Sequence, residues 1–206
     1  LGIKTPLPVA YNFVHNHLPA LLDEYQPDLV LHVGLAGGRK YYAPELSAPR
    51  NGFLYADIEG RTWSKEMGET AVPGQIPTPI STTKPPNHHG ESDTPLWPKT
   101  LRTSLEYGTV VGKWKAKNEG LGIESRESDD VGGFMCGFSY YTSLAWFRSK
   151  SLVSAENQEL EKDVAEGGPV LFLHVPETSK EEEWAKGRQV TINLIETMVE
   201  VWLRQK

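Results

Sequence analysis

A single cysteine, Cys136, occurs in 206 residues. That excludes an intrachain disulfide and any zinc module built on several cysteines, and it fits a reducing setting, cytoplasmic by expectation. Basic charge is also short. Lys and Arg number 21 against 27 Asp and Glu, for a net charge of -6, so a broad nucleic-acid-binding face is not expected. No apolar run approaches the roughly 18 residues of a membrane span, and no charged-then-apolar leader opens the chain. Phosphate-loop and dinucleotide patterns are missing too, because the spacing in Gly34-Leu35-Ala36-Gly37-Gly38 is wrong for either. What is present is 38% hydrophobic residues, enough to bury a core in one domain spanning residues 1–206. The chain opens at Leu1, and the expectation is a piece or processed product of something longer.

Apolar residues recur at helical spacing from Pro8 to Tyr25, with Pro19 as a potential kink. Leu29–Val33 reads as a short buried strand leading into the glycine loop Gly34–Arg39. From Arg61 to Pro98 proline, glycine, serine and threonine remove all periodicity, so that stretch is expected to be a poorly packed insertion. His88-His89 inside it lacks further ligands at fixed spacing, and no metal is expected. Val110–Lys117 predicts a helix, Ile123–Ser128 a strand, and the residues after Cys136 an amphipathic helix. Ala155–Ala165 predicts a charged helix and Val170–Val175 a second buried strand. Val190, Leu194, Ile195, Met198, Val199, Val201 and Trp202 make one wide stripe on a final helix, with Glu181, Glu182 and Glu183 at the positive end of its dipole. Helices alternating with apolar strands predict an α/β layered domain, with a mostly parallel sheet in which both strands are central.

A lone cysteine is most often a small buried hydrophobe. Gly132-Gly133 before Cys136 and a helix after it instead set the sulfur at a helix N-terminus, where the dipole favours thiolate and free N–H groups can hold an oxyanion. Fast alkylation near pH 6 to 7 is the corresponding expectation. A thiolate nucleophile wants a histidine partner, and His174 ends a core strand just before Pro176. A carboxylate should orient the imidazole, and Glu45, Asp57, Glu59, Asp129, Asp130 and Glu177 are all candidates on chemistry alone.

Four stretches resemble the pyroglutamyl-peptidase I family of cysteine peptidases. They are Leu7-Pro8-Val9 with Pro27–Arg39, Pro44-Glu45-Leu46-Ser47-Ala48, Ser128–Cys136 with Tyr140-Tyr141 and Ser143-Leu144, and Leu171–Pro176. The resemblance implies a phosphorylase/hydrolase-like three-layer α/β/α sandwich. It implies Cys136 as nucleophile, His174 as base and then acid, and Glu45 as orienting carboxylate. Phe134 and Met135 match positions lining the pyroglutamyl pocket. The implied substrate is a peptide with an N-terminal pyroglutamate, with no cofactor, nucleic acid or membrane involved. The chain departs from the pattern in several ways, one being that Arg50–Gly60 has no arginine at the place where the family has one. Leu35 stands where the family has a glutamine for the lactam, Gly137 replaces an asparagine, and nothing before Leu7 resembles the family's opening strand. The last departure predicts exposed sheet edges, which self-association could cover. The alternative implied by these departures is a weak or inactive relative that serves as a binding domain.

Overall fold

The computed structural model describes residues 5–63, 97–152 and 164–206. Helix α1 covers Tyr11–Tyr25, and the carboxylate of Asp57 accepts the Tyr11 N–H at its start (2.9 Å). Strand β1 is Val30–Ala36, β2 Ala43–Glu45, β3 Ser47–Pro49 and β4 Thr100–Arg102. Helix α2 is Tyr107–Lys117, α3 Met135–Leu152, and strands β5 Val164–Glu166 and β6 Val170–Pro176 precede helix α4, Glu181–Gln205.

The strands form two three-stranded sheets, ordered β1-β6-β2 and β3-β4-β5. β6 runs parallel to β1, with Gly34 beside His174, and antiparallel to β2, with Ala43 beside His174 and Glu45 beside Phe172. In the second sheet β4 is antiparallel to β3 and parallel to β5. The expected α/β class and layering are present, but the sheets are mixed rather than mostly parallel. Alternation along β6 explains the layers. Val170 and Phe172 pack with Tyr11, Val14, Leu18 and Leu22 of α1 and with Phe138, Tyr141 and Leu144 of α3. Leu171 and Leu173 pack on the other side, with Val110, Val111 and Trp114 of α2 and Val190, Leu194 and Met198 of α4.

β6 is central and buried, as its composition predicts. β1 is not central. Among the described residues it pairs only with β6, and Val33 and Leu35 are 53% and 57% exposed. An apolar run on an edge strand reads the same in sequence as one in the middle, because composition does not record how many neighbours a strand has. The expected strand Ile123–Ser128 is reduced to isolated bridges, Ser125 to Tyr42 and Ser128 to Glu45. The end of the expected helix Ala155–Ala165 is strand β5, and the rest of that stretch lies outside the described residues. So does most of the insertion, including His88 and His89. Its two described ends are well packed, since Trp63 and Trp97 are buried in the α1–α3 core. No helix among the described residues is long and apolar enough to cross a membrane.

His32, inside β1, is closed in by this packing. Its Nε2 meets Ser143 Oγ at 2.8 Å and its ring stacks on Phe172. Burial pushes its pKa down to about 4, so the folded protein refuses a proton that the unfolded chain accepts near pH 6.5. The stabilisation is complete above that pH and is lost as pH falls towards 4, by about 3 kcal/mol at most. Urea melts between pH 7 and pH 4 should show this decline, and a His32→Gln variant should flatten it.

Candidate active site

Each side chain of the site arrives on a different element. Cys136 is the second residue of α3, at the helix N-terminus that its glycine-rich lead-in predicts. Glu45 closes β2, and its side chain is fully buried. His174 lies near the end of β6 and is buried as well. Glu45 and His174 share one face of their antiparallel pair, diagonally placed, which is within reach of long side chains. Glu45 Oε1 lies 2.6 Å from His174 Nδ1. A carboxylate can only accept, so Nδ1 carries the proton and Nε2 is left with the lone pair. That is the tautomer a general base requires.

Gly34 locates the sulfur against this pair. A methyl group on Gly34 would lie 3.2 Å from Cys136 Sγ and 2.5 Å from the Phe172 ring, so the thiol sits directly over the strand position that neighbours His174. Only glycine leaves that space. Gly137, one residue past the cysteine, is similarly confined, because a Cβ there would stand 2.6 Å from the carbonyl oxygen of Gly132. An asparagine could not occupy position 137 without moving the loop.

Several donors fix the carboxylate. Besides His174, Arg39 Nη1 donates to Oε1 at 2.8 Å and the Asp130 N–H donates to Oε2 at 3.2 Å. Burial alone would raise the Glu45 carboxyl, but hydrogen bonds from His174, Ser128 and Arg39 outweigh it and hold the group below its ordinary value. Arg39 Nη2 also donates to the Asp130 carbonyl at 2.6 Å, tying the glycine loop to the approach to Cys136. Its other nitrogen is 3.5 Å from His174 Nδ1, which is a contact only, since the Nδ1 proton goes to the much closer carboxylate. Tyr140 donates its hydroxyl to the Glu45 carbonyl (3.0 Å), and Tyr107 bridges Pro44 and Ser128.

The thiol itself departs from expectation. Burial pushes Cys136 up to about 11, and the nearby Glu45 charge adds to the effect. The dipole at the start of α3 does not overcome desolvation, so the resting sulfur is S–H and the imidazole must remove its proton during attack. Alkylation by iodoacetamide at pH 7 should therefore be slower than for a free thiol with pKa about 8.5, and should accelerate as pH rises through 9 to 10.

Of the other expected positions, Phe134 is half-buried with its ring edge-on to Tyr11 and Tyr55, each 6.1 Å away. Met135 is buried in the α1–α3 core. Leu35 is not brought to the site. Val30 packs towards α1 and α3 and Leu31 towards α2 and α4, so strand alternation turns Leu35 to the face opposite Gly34 and Cys136. Asp57 serves the start of α1, Asp129 accepts a hydrogen bond from Ser47, and Asp130 contributes backbone rather than carboxylate. Among the described residues no group of three or more His, Cys, Asp or Glu could hold a metal ion.

No family profile matches the chain. It is similar to mouse pyroglutamyl-peptidase 1, at 24% identity over 149 residues, which is 70% of this chain and 56% of the relative. The rat pyroglutamyl-peptidase 1 matches to the same extent. The fold is similar to that of pyrrolidone carboxyl peptidase from the hyperthermophile Pyrococcus furiosus, with TM-score 0.59, 19% identity, and coverage of 97% of this chain and 80% of the other. A point mutant of the same enzyme gives TM-score 0.58 at 20% identity, with the same coverage of both chains. The sequence is thus similar to pyroglutamyl-peptidase 1 and the fold to pyrrolidone carboxyl peptidase. It spans 56% of the length of the curated relatives that it matches.

Within that family likeness, Arg39 is the site residue that residue-by-residue chemistry overlooks. A buried acid in a strand needs a cationic or hydrogen-bonding partner. An arginine ending a glycine-rich loop six residues upstream was the available signal. Tyr107 and Tyr140 carried no such signal, because aromatic residues at helical spacing read as core.

Proposed function

We propose that the chain is a cysteine exopeptidase that removes an N-terminal pyroglutamyl residue from peptides. The observation that carries this reading is the 2.6 Å contact between Glu45 and His174, with the Cys136 sulfur over the neighbouring Gly34. His174 Nε2 takes the thiol proton as sulfur attacks the pyroglutamyl carbonyl. Unpaired N–H groups at the start of α3 are available to the oxyanion. The imidazolium then protonates the leaving amine, the C–N bond breaks, and a thioester remains. Water, deprotonated by the same imidazole, hydrolyses the thioester and releases pyroglutamate and the free thiol. Phe134, flanked by Tyr11 and Tyr55 just before the start of α3, offers an apolar wall for a small ring.

The raised thiol pKa favours a second reading, a slow or inactive relative that retains pyroglutamyl peptides without cleaving them. A fluorogenic pyroglutamyl amide separates the two. The first reading expects turnover that falls by about 10⁴-fold or more in Cys136→Ser. Saturable binding of the amide with no Cys136-dependent turnover would support the second. Equal turnover by both proteins would overturn the mechanism.

A further inference from the structure

The acid, the arginine and one residue of the loop before Cys136 close on one another. Arg39 Nη1 donates to Glu45 Oε1 and Arg39 Nη2 to the Asp130 carbonyl, at 2.8 and 2.6 Å. The Asp130 N–H donates to the other carboxylate oxygen, Oε2, at 3.2 Å. Both backbone groups of Asp130 are thereby held, the N–H by the acid and the carbonyl by the arginine. Oε1 also receives the His174 Nδ1 proton (2.6 Å), so the guanidinium and the imidazole share one oxygen. A displacement of Arg39 therefore moves the anchor of the imidazole and the loop together.

The loop has few side chains of its own to hold it. Between Asp130 and Cys136, Gly132 and Gly133 supply none, and Gly132 stands at φ +78°, a left-handed turn that costs chain entropy to fix. Val131 is buried, and the Gly133 carbonyl accepts the Leu54 N–H at 3.2 Å. The first turn of α3 follows at once, with the unpaired N–H groups available to an oxyanion. The Gly132 carbonyl rests against Gly137, so the loop and that turn shift as one. Arg39 is itself seated. Its N–H donates to the Ala36 carbonyl (3.2 Å), the Tyr41 ring lies 5.8 Å from its guanidinium, and Arg126 stacks on the same ring at 4.2 Å. A planar fork serves two acceptors in fixed directions, which a lysine ammonium on its flexible stem does not. The Arg39 side chain keeps 20% exposure, so one edge of the clamp is open to small solutes.

We propose that Arg39 is a positioning residue that sets the imidazole and the first turn of α3 relative to one another, an inference that rests on the peptidase reading. Two measurements test it, and one needs no turnover. With a pyroglutamyl amide, Arg39→Ala should lose about 10²-fold in kcat with KM within about threefold, because the clamp touches no substrate. Guanidinium ion at about 50 mM should restore at least about tenfold of that loss by filling the vacated place, and should leave the parent unchanged. Arg39→Lys keeps the charge but reaches one acceptor at a time, so it should lose about tenfold in kcat. It also carries the test if Arg39→Ala does not fold. Hydrogen exchange of the amides of residues 130–137 should quicken at least about tenfold in Arg39→Ala, and by less in Arg39→Lys, while the amides of α2 keep the parent's rates. A parent with no Cys136-dependent turnover would end the peptidase reading alone, and the exchange comparison would then decide the clamp. Unchanged exchange over 130–137 would overturn the proposal. So would Arg39→Ala or Arg39→Lys equal to an active parent in kcat, a loss carried by KM, or a loss in Arg39→Ala that guanidinium leaves untouched.

Discussion

Glu45→Gln should lower kcat for a pyroglutamyl amide by about 10³–10⁴-fold while leaving the fold nearly intact. The amide has almost the shape of the carboxylate, and the contact to Asp130 can persist. The contact to His174 cannot persist in the same sense. With its NH₂ turned to Nδ1 the glutamine donates, the imidazole proton moves to Nε2, and the base no longer has a lone pair for the thiol. With its oxygen turned to Nδ1 it offers no charge when imidazolium forms, and its NH₂ takes the place of Oε2 and faces the Asp130 N–H, a second donor. Glu45→Ala should behave differently. It leaves the Arg39 guanidinium, 20% exposed, without its buried partner, and about 3–5 kcal/mol of stability should go with it. Steady-state kinetics and urea melts on both variants read these effects separately. Glu45→Gln within about threefold of the parent in kcat would remove Glu45 from the mechanism.

Gly34→Ala should cost about 1–3 kcal/mol in stability and lower kcat about 10²-fold. The new methyl group would stand 2.5 and 2.9 Å from Phe172 Cζ and Cε1. That ring has no room to retreat. His32 stacks on one side of it, its centroid is 4.8 Å from the His174 ring, and Tyr140 packs 6.1 Å away. The strain is thus passed to His174 or to the Cys136 sulfur, and either displacement spoils the proton transfer. The two effects should appear together, as a lower melting temperature and a lower kcat with KM little changed. A variant as stable and as active as the parent would show that the sulfur does not rest over β1.

The sequence is most informative where one residue type answers one physical demand. β6 is apolar apart from His174 because both its faces are covered, and it is central in the structure. Cys136 follows paired glycines because the chain must turn tightly into α3, and the helix begins one residue before it. Burial on a sheet edge is decided by neighbours, which composition cannot encode, so β1 reads as central but among the described residues is not. The thiol illustrates a balance of opposed terms. A helix N-terminus lowers its pKa and desolvation raises it, and only the packing of Phe172, Gly34 and α3 around the sulfur says which one wins. Arg39 was visible as a residue but not as a partner, since its meeting with Glu45 depends on how the glycine loop folds back. The single wide stripe on α4 likewise hid two faces, since Val190, Leu194, Met198 and Val201 are buried while Ile195 and Val199 are exposed.

The pairing partners of β6 have a further consequence during synthesis. Val170 pairs with Val30 and Phe172 with Glu45, so the strand carrying the imidazole joins segments that left the ribosome more than a hundred residues earlier. Until it emerges, β1 and β2 have no common neighbour, and the Glu45 carboxylate has no histidine to bind. Such long-range closure is slow relative to local helix formation. A growing chain therefore carries its thiol, its acid and its arginine through most of translation as separate and chemically ordinary side chains. Any hydrolytic capacity would therefore switch on only after β6 has docked between β1 and β2.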